Sequence, residues 1–339
     1  MRGLGEELDD KLDERLGEQT LMRGSMSDAE SPPLAIVTGA TAGLGLETAK
    51  GLASAGYRVV IAGRNPDKGK LACHAVRQHR PGADVRFELL DLDSLESVRQ
   101  FAARLRKSEA TLERLINNAG IMAPPKLEHT EDGFERQFGV NYLGHFLLTS
   151  LLLPLLVASS RRGRAPRVVQ LSSLAHRSGR IDFDNLGSDA KADTHYDPWR
   201  AYRQSKLAML LFAQALQKQS NQHGWGILSV AAHPGLSRTS LFDAGVKSRA
   251  LIGNAFKLVM PLISQSAAKG ARPTLHAALD DDVRPGDYFG PDGFSETRGA
   301  PKRAFRSKAA RNQAVEDRLW EVSCELTGAA WSRETSRSS

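Results

Sequence analysis

Apolar and polar positions alternate between two rhythms from about residue 34 onward. Short, apolar, β-branched runs read as buried strands: Leu34 to Thr38, Tyr57 to Gly63, Asp84 to Leu90, Leu112 to Ile116, Arg167 to Leu171 and Gly226 to Ala232. Between them the apolar positions recur at helical spacing, from Leu44 to Leu52, from Pro66 to about His79, and from Leu95 through Arg106. Longer helical patterns cover about Asp132 to Ser159 and Trp199 to Gln222, and a last one Asn312 to Leu326. Strands alternating with helices predict an α/β fold, a parallel sheet with helices on both faces. A glycine-rich or polar turn follows nearly every strand, at the end where open α/β sheets bind ligands. No internal repeat is visible, so residues 34–330 read as a single domain, followed by a tail over 331–339.

Residues 1–33 break the rhythm. They are polar and crowded with charge (Glu6, Glu7, Asp9, Asp10, Lys11, Asp13, Glu14, Arg15) and lack the apolar stretch of a signal peptide or membrane anchor. They read as a mobile extension hinged at Ser31-Pro32-Pro33, and Met26 would serve equally as a start. The run Leu143 to Val157 is apolar but short for a membrane span, and His145, Thr149, Ser150 and Pro154 interrupt it. A helix buried between the sheet and a partner subunit is expected there, and with it a homodimer or homotetramer.

Composition changes this picture little. The 339 residues are 41% hydrophobic, enough for a sizeable core, and 25% charged. The net charge of +7 comes from scattered basic residues with few interleaved aromatics, which argues against a nucleic-acid partner. Cys73 and Cys324 are far apart, with no metal-binding or disulfide pattern around them. A reducing compartment, the cytoplasm, is expected, and no metal.

Candidate chemistry begins at Thr38-Gly39-Ala-Thr41-Ala-Gly43-Leu44-Gly45. A strand that ends in glycines beneath a helix start gathers backbone N–H groups and the positive end of the helix dipole at one spot, where a pyrophosphate can approach. The spacing Gly-x3-Gly-x-Gly differs from the better-known dinucleotide fingerprint. In such folds the residue ending the second strand faces the adenosine ribose, where a carboxylate would repel a 2′-phosphate. Here that position is Gly63, followed by Arg64, whose guanidinium suits a phosphate, so NADP(H) is expected over NAD(H). Arg64 as a solvated turn residue is the plainer alternative. Asp91, after the third strand, suits the adenine amino group, and Asn118 is either a cofactor contact or a turn residue.

A second site is Tyr202-Arg-Gln-Ser-Lys206, whose spacing puts a phenol and an ammonium about one turn apart on one helix face. A free phenol ionises near pH 10. The lysine, together with an oxidised nicotinamide, is expected to lower that value and make Tyr202 an acid/base. Ser173, at a strand end, would meet the pair and donate to the substrate oxygen. Ser172 competes for that role, and strand alternation favours Ser173.

Taken in order, Thr38-Gly39-x3-Gly43-x-Gly45, Asn117-Asn118-Ala119-Gly120, Asn141, Ser173, Tyr202-x3-Lys206 and Pro234-Gly235 resemble the short-chain dehydrogenase/reductase family. The likeness runs over about residues 34 to 240. The wording of Val140-Asn141-Tyr-Leu-Gly-His-Phe146 and Ser172-Ser173-Leu-Ala-His176 looks like its retinol-dehydrogenase-like branch and bacterial relatives. The resemblance implies a Rossmann-type doubly wound sheet of strand order 3-2-1-4-5-6-7 and a catalytic tetrad of Asn141, Ser173, Tyr202 and Lys206. It also implies a nicotinamide cofactor held by Gly39, Thr41, Gly43, Leu44, Gly45, Ala119, Gly120, Tyr202, Lys206, Pro234, Gly235 and Thr239. Asn141 would hold a water that relays protons, and Thr239 would bond the nicotinamide carboxamide. The membrane-bound members of that branch carry an apolar N-terminal anchor, which is not seen here.

Two stretches are candidates for the substrate walls: polar Ser178 to Pro198, and Ser240 to Ile263 with its apolar Leu241, Phe242, Leu251, Ile252, Phe256, Leu258 and Met260. An apolar cover suggests a lipophilic carbonyl or alcohol. A packing helix explains the second stretch as well. His176 and His195 are further candidates for substrate contact. The leading expectation is an NADPH-dependent carbonyl reductase, reversibly an alcohol dehydrogenase. Alternatives are a C=C reductase of the protochlorophyllide-reductase type and a non-catalytic NADP(H)-sensing protein.

Overall fold

The computed structural model describes residues 31–187, 196–237 and 265–331. The folded unit begins at Leu34. The extension expected over residues 1–33 falls, up to residue 30, outside the described residues.

Eight strands form one sheet in the order β3-β2-β1-β4-β5-β6-β7-β8. They are β1 (Leu34–Thr38), β2 (Arg58–Gly63), β3 (Val85–Leu89), β4 (Arg114–Asn117), β5 (Arg167–Leu171), β6 (Leu228–Ala232), β7 (Tyr288–Pro291) and β8 (Pro301–Arg303). Pairing is parallel up to β7, and β8 turns back antiparallel on that edge. The order expected through seven strands is present, with one edge strand added.

Strand alternation splits the interior into two cores. Leu34, Ile36 and Val60 face α3 (Leu95–Ser108), α4 (Arg136–Arg161) and α5 (Pro198–His223). Ala35, Val37, Val59 and Ile61 face α1 (Gly43–Ser54), α2 (Pro66–His79) and α6 (Ala267–Leu279). Covered on both faces, these strands read as continuous apolar runs, as central parallel strands should.

Helix starts follow local chemistry. Asn65 caps α2 by accepting from the Lys68 N–H at 2.9 Å, with Pro66 in the first helical position. Asp197 and Pro198 do the same for α5, which ends at Gly224 in the left-handed conformation. The Glu135 carboxylate accepts from the N–H groups of Gln137 and Phe138, so α4 begins after it rather than at Asp132. The first turn of α4 leads into a π-helical stretch, Gly139–Leu143, before the regular helix resumes at Gly144.

The apolar run inside α4 has a simple destination. The most apolar 18 residues within Arg136–Arg161 have a mean hydropathy of 1.7, and 78% of that stretch is buried within this one chain. The C-terminal helix α7 (Gln313–Thr327) covers it: the Phe146 ring lies 5.1 Å from both Trp320 and Trp331, and Tyr142 Oη is 2.7 Å from Ser323 Oγ. The chain's own C-terminal residues thus pack against this run, Trp331 among them.

One further closure matters for the site. Ser237 and Gln265 pair in a parallel bridge, and the Gln265 N–H donates to Leu236 O at 2.8 Å. The chain leaving β6 therefore returns to where it left.

Candidate active site

The carboxyl ends of β1, β2, β4, β5 and β6 open on a cleft of about 770 Å³. Its first wall is the glycine turn. Gly39 sits at φ +65, and a Cβ there would lie 2.8 Å from Ala119 Cα. A Cβ on Gly45 would lie 2.5 Å from Asn118 Nδ2 and 2.6 Å from Gly39 O, so only hydrogen fits between these strand ends. Ala42 precedes α1 and offers no side-chain cap, and no acidic residue stands in the first turn. The N–H groups at that helix end are thus left for an anion, and Thr41, Gly43 and Leu44 line the same wall. These residues fit a dinucleotide pyrophosphate.

Gly63, Arg64 and Asp91 line the cleft where the adenosine half would lie. Asn65 and Lys68 line it too, unforeseen, although a cation in the first turn of the helix after β2 was a readable signal. Asp91 Oδ1 accepts from the Asp93 N–H at 3.1 Å. The Asn118 side chain donates to Thr38 O at 2.7 Å and pins the end of β4 to the glycine turn, and the residue also lines the cleft. Ala119, Gly120, Pro234 and Gly235 complete that side, and Thr239 lies outside the described residues.

At the far end Ser173, Tyr202 and Lys206 come together. Ser173 opens the 3-10 turn Leu174–Ser178, its Oγ accepting from the Ala175 N–H at 3.2 Å, and its hydroxyl lies close enough to the Tyr202 phenol to favour the phenolate. Ser172 points away, donating to Lys206 O at 2.7 Å. Lys206 Nζ donates to Leu171 O at 3.0 Å and lies 5.8 Å from the centre of the Tyr202 ring.

The electrostatics differ from expectation. Burial pushes the phenol up to about 12, against a smaller downward pull from the Ser173 hydroxyl. The lowering expected from Lys206 is not produced by the protein alone: the phenol is buried, and the ammonium faces its ring. Burial also brings Lys206 down to about 8.

Asn141 stands behind the wall rather than on it. Its Oδ1 accepts from the Ile121 N–H at 2.8 Å, and its Nδ2 donates to Ile121 O at 3.0 Å and Ser205 Oγ at 2.9 Å. It thereby ties the π-helical stretch of α4 to α5. A Cβ on Gly120 would lie 3.1 Å from Asn141 Oδ1 and 3.4 Å from Lys206 Nζ, so both groups flank one point. His145 supports this arrangement from the core. Its Nδ1 hydrogen goes to Asn141 O at 2.9 Å, and its Nε2 accepts the Thr38 hydroxyl at 2.8 Å. Thr38 Oγ in turn accepts from the N–H groups of Asn118 and Ala119, both at 2.9 Å. Burial lowers His145 to about 4, so it works as a neutral imidazole.

His176 does not reach substrate space. It is fully buried, and its Nδ1 hydrogen goes to Ser173 O at 2.7 Å, bracing the turn instead. His195 and the stretch Ser240 to Ile263 lie outside the described residues, as does part of Ser178 to Pro198. Trp199, three positions before Tyr202, lines the cleft with its ring 6.1 Å from the phenol ring. Sequence spacing alone did not mark it out.

Comparison with known proteins agrees with this geometry. Residues 33–249 match the sequence model of the short chain dehydrogenase family. The chain is 41% identical to human retinol dehydrogenase 12 over 298 residues, covering 87% of this chain and 86% of that protein. It is 40% identical to mouse polyprenol dehydrogenase over 316 residues, covering 91% and 89%. A crystal structure from Mycobacterium paratuberculosis superposes with a TM-score of 0.70 at 36% identity, covering 90% of this chain and 98% of that one. On the sheet, the glycine turn, the Ser-Tyr-Lys cluster and these likenesses together, the chain belongs to the short chain dehydrogenase family, as a retinol-dehydrogenase-like oxidoreductase.

Proposed function

We propose that the protein is an NADP(H)-dependent oxidoreductase that moves a hydride between nicotinamide and the carbonyl or alcohol carbon of a lipophilic small molecule. The observation that carries this reading is the Ser173–Tyr202 contact beside Lys206, at one end of a cleft whose other end is the uncapped start of α1. When bound, the dinucleotide supplies or accepts the hydride at its nicotinamide. The turn Gly39 to Gly45 would hold its pyrophosphate, Asp91 its adenine amino group, and Pro234 and Gly235 its nicotinamide end, with Thr239 as the family's carboxamide contact. Arg64 and Lys68 support the choice of NADP(H), as two cations beside the ribose position. A lipophilic substrate is supported by relatives named for retinol and polyprenol, both long apolar alcohols.

In the reductive direction Ser173 donates a hydrogen bond to the substrate oxygen. Tyr202, protonated at neutral pH because its phenol ionises only near 12, gives that oxygen its proton. Lys206 keeps a positive charge next to the developing phenolate. Asn141 holds the Ile121 turn, and by the family resemblance it would hold a water that returns the proton. The proposal extends to a cytoplasmic address, supported by the free thiols of Cys73 and Cys324, and cell fractionation tests it.

The deciding experiment follows NADPH absorbance with purified protein against aldehydes, ketones, retinoids, steroids and quinones. Tyr202→Phe should lower carbonyl reduction about 10²- to 10⁴-fold while NADPH still binds. A cellular role that survives this substitution would favour NADP(H) sensing, and turnover confined to conjugated double bonds would favour a C=C reductase.

A further inference from the structure

The chain between β7 and β8 carries a feature that no motif announces. Ser295 and Glu296 are consecutive, bear side chains, and sit at φ 50 and φ 59. Residues with a Cβ avoid that region, and such strain persists where surrounding contacts over-determine it. The contacts here converge on the Glu296 carboxylate. Its Oε2 accepts from Arg177 Nη2 at 2.7 Å and from His233 Nε2 at 3.1 Å, and its Oε1 accepts from the Phe305 N–H at 3.0 Å.

Each donor lies on a different part of the frame. Arg177 lies in the last turn of the 3-10 segment that Ser173 opens. His233 begins the His233-Pro234-Gly235 loop on the opposite wall of the cleft. Its imidazole is used at both nitrogens: Nε2–H goes to Glu296, and Nδ1 accepts from the Gly235 N–H at 3.2 Å. The Leu236 N–H continues the contact by donating to Thr297 O at 2.8 Å. Room for the ring depends on Gly290, since a methyl group there would overlap His233 Nε2. Burial favours a neutral His233, which this tautomer requires. A carboxylate buried among three donors is a poor way to gain stability compared with an apolar plug of the same volume, so the arrangement calls for another explanation.

We propose that Glu296 is a positioning residue for the nicotinamide end of the cleft, holding the Ser173 turn and the Pro234-Gly235 loop at a fixed separation through Arg177 and His233. This rests on the function proposed above. Glu296 itself is not among the residues that line the cleft.

The test uses the full chain and Glu296→Gln, which keeps the shape and removes the charge that two donors share. Two ligands are compared by calorimetry: NADPH, and 2′-phospho-ADP-ribose, which has the same adenosine half and no nicotinamide. NADPH affinity should fall about tenfold or more, with 2′-phospho-ADP-ribose affinity unchanged within about twofold. In the cofactor-free protein, amide hydrogen exchange at Gly235 and Leu236 should quicken about tenfold. Gly290→Ala, which displaces the imidazole and keeps every charge, should reproduce the split and carries the test if Glu296→Gln does not fold. Equal losses for both ligands, or none, would overturn the inference. A wild-type protein that binds neither nucleotide would overturn the function reading instead. Unchanged exchange at Gly235 and Leu236 in both variants would overturn the brace whatever the function.

Discussion

Lys206 carries an ammonium into a place where burial works against its charge, and the consequence is a pH dependence of definite sign. With its proton lost at about 8, the residue is charged below that value and neutral above it. Carbonyl reduction should therefore be flat on the acid side and fall about tenfold per unit as pH rises well past 8, read from kcat/KM profiles. For folding the sign is opposite. The unfolded chain holds this proton more tightly, so this group's contribution to stability rises between about 8 and 10.4. At the adenosine end, Arg64→Leu should raise the KM for NADPH about tenfold and leave that for NADH unchanged. An unchanged KM for NADPH would remove the 2′-phosphate argument. Residues of this kind were legible because their partners are neighbours in sequence: Gly39 to Gly45 is one turn, and Tyr202 to Lys206 is one helical step. His145 and Glu296 were not. Thr38 lies 107 positions from His145, and His233 lies 63 from Glu296, so only the folded chain brings these groups together.

Among the elements, the central strands were the easiest to read, because burial on both faces leaves few polar positions to blur the run. β7 was implied by the family's strand order without being located, and β8 was missed: Tyr288–Pro291 and Pro301–Arg303 are short and contain proline, and β8 lies at the edge, where proline and charge are tolerated. α6 carries Pro273 in its interior, which disguises a helical pattern. The C-terminal helix α7 was foreseen in place but not in purpose. Its Leu319 is 1% exposed within the core beneath α4 and α5. Leu319→Ala should cost about 2–5 kcal/mol, measured as a lowered urea midpoint with an unchanged slope. A loss below about 0.5 kcal/mol would mean that the helix rests on the fold without supporting it.

Over the whole molecule, the apolar character of α4 is accounted for inside a single chain, so it no longer argues for a partner subunit or a bilayer. Fold and catalytic cluster could be anticipated together because the family's motifs sit at strand ends, where the sheet dictates position. The substrate side could not, since its candidate residues lie on connections the sheet does not constrain. The Ser237–Gln265 bridge gives those connections a practical property. With both ends fastened side by side, doubling the length of chain between them would change the closure cost by only about 0.6 kcal/mol. Replacing residues 240–263 with the corresponding stretch of a relative, Thr239 kept, should alter which carbonyl compounds are turned over and leave NADPH affinity within about twofold. On the function proposed above, substrate choice could then be retuned between two fixed points of the chain, with the glycine turn and the Ser173, Tyr202 and Lys206 cluster untouched.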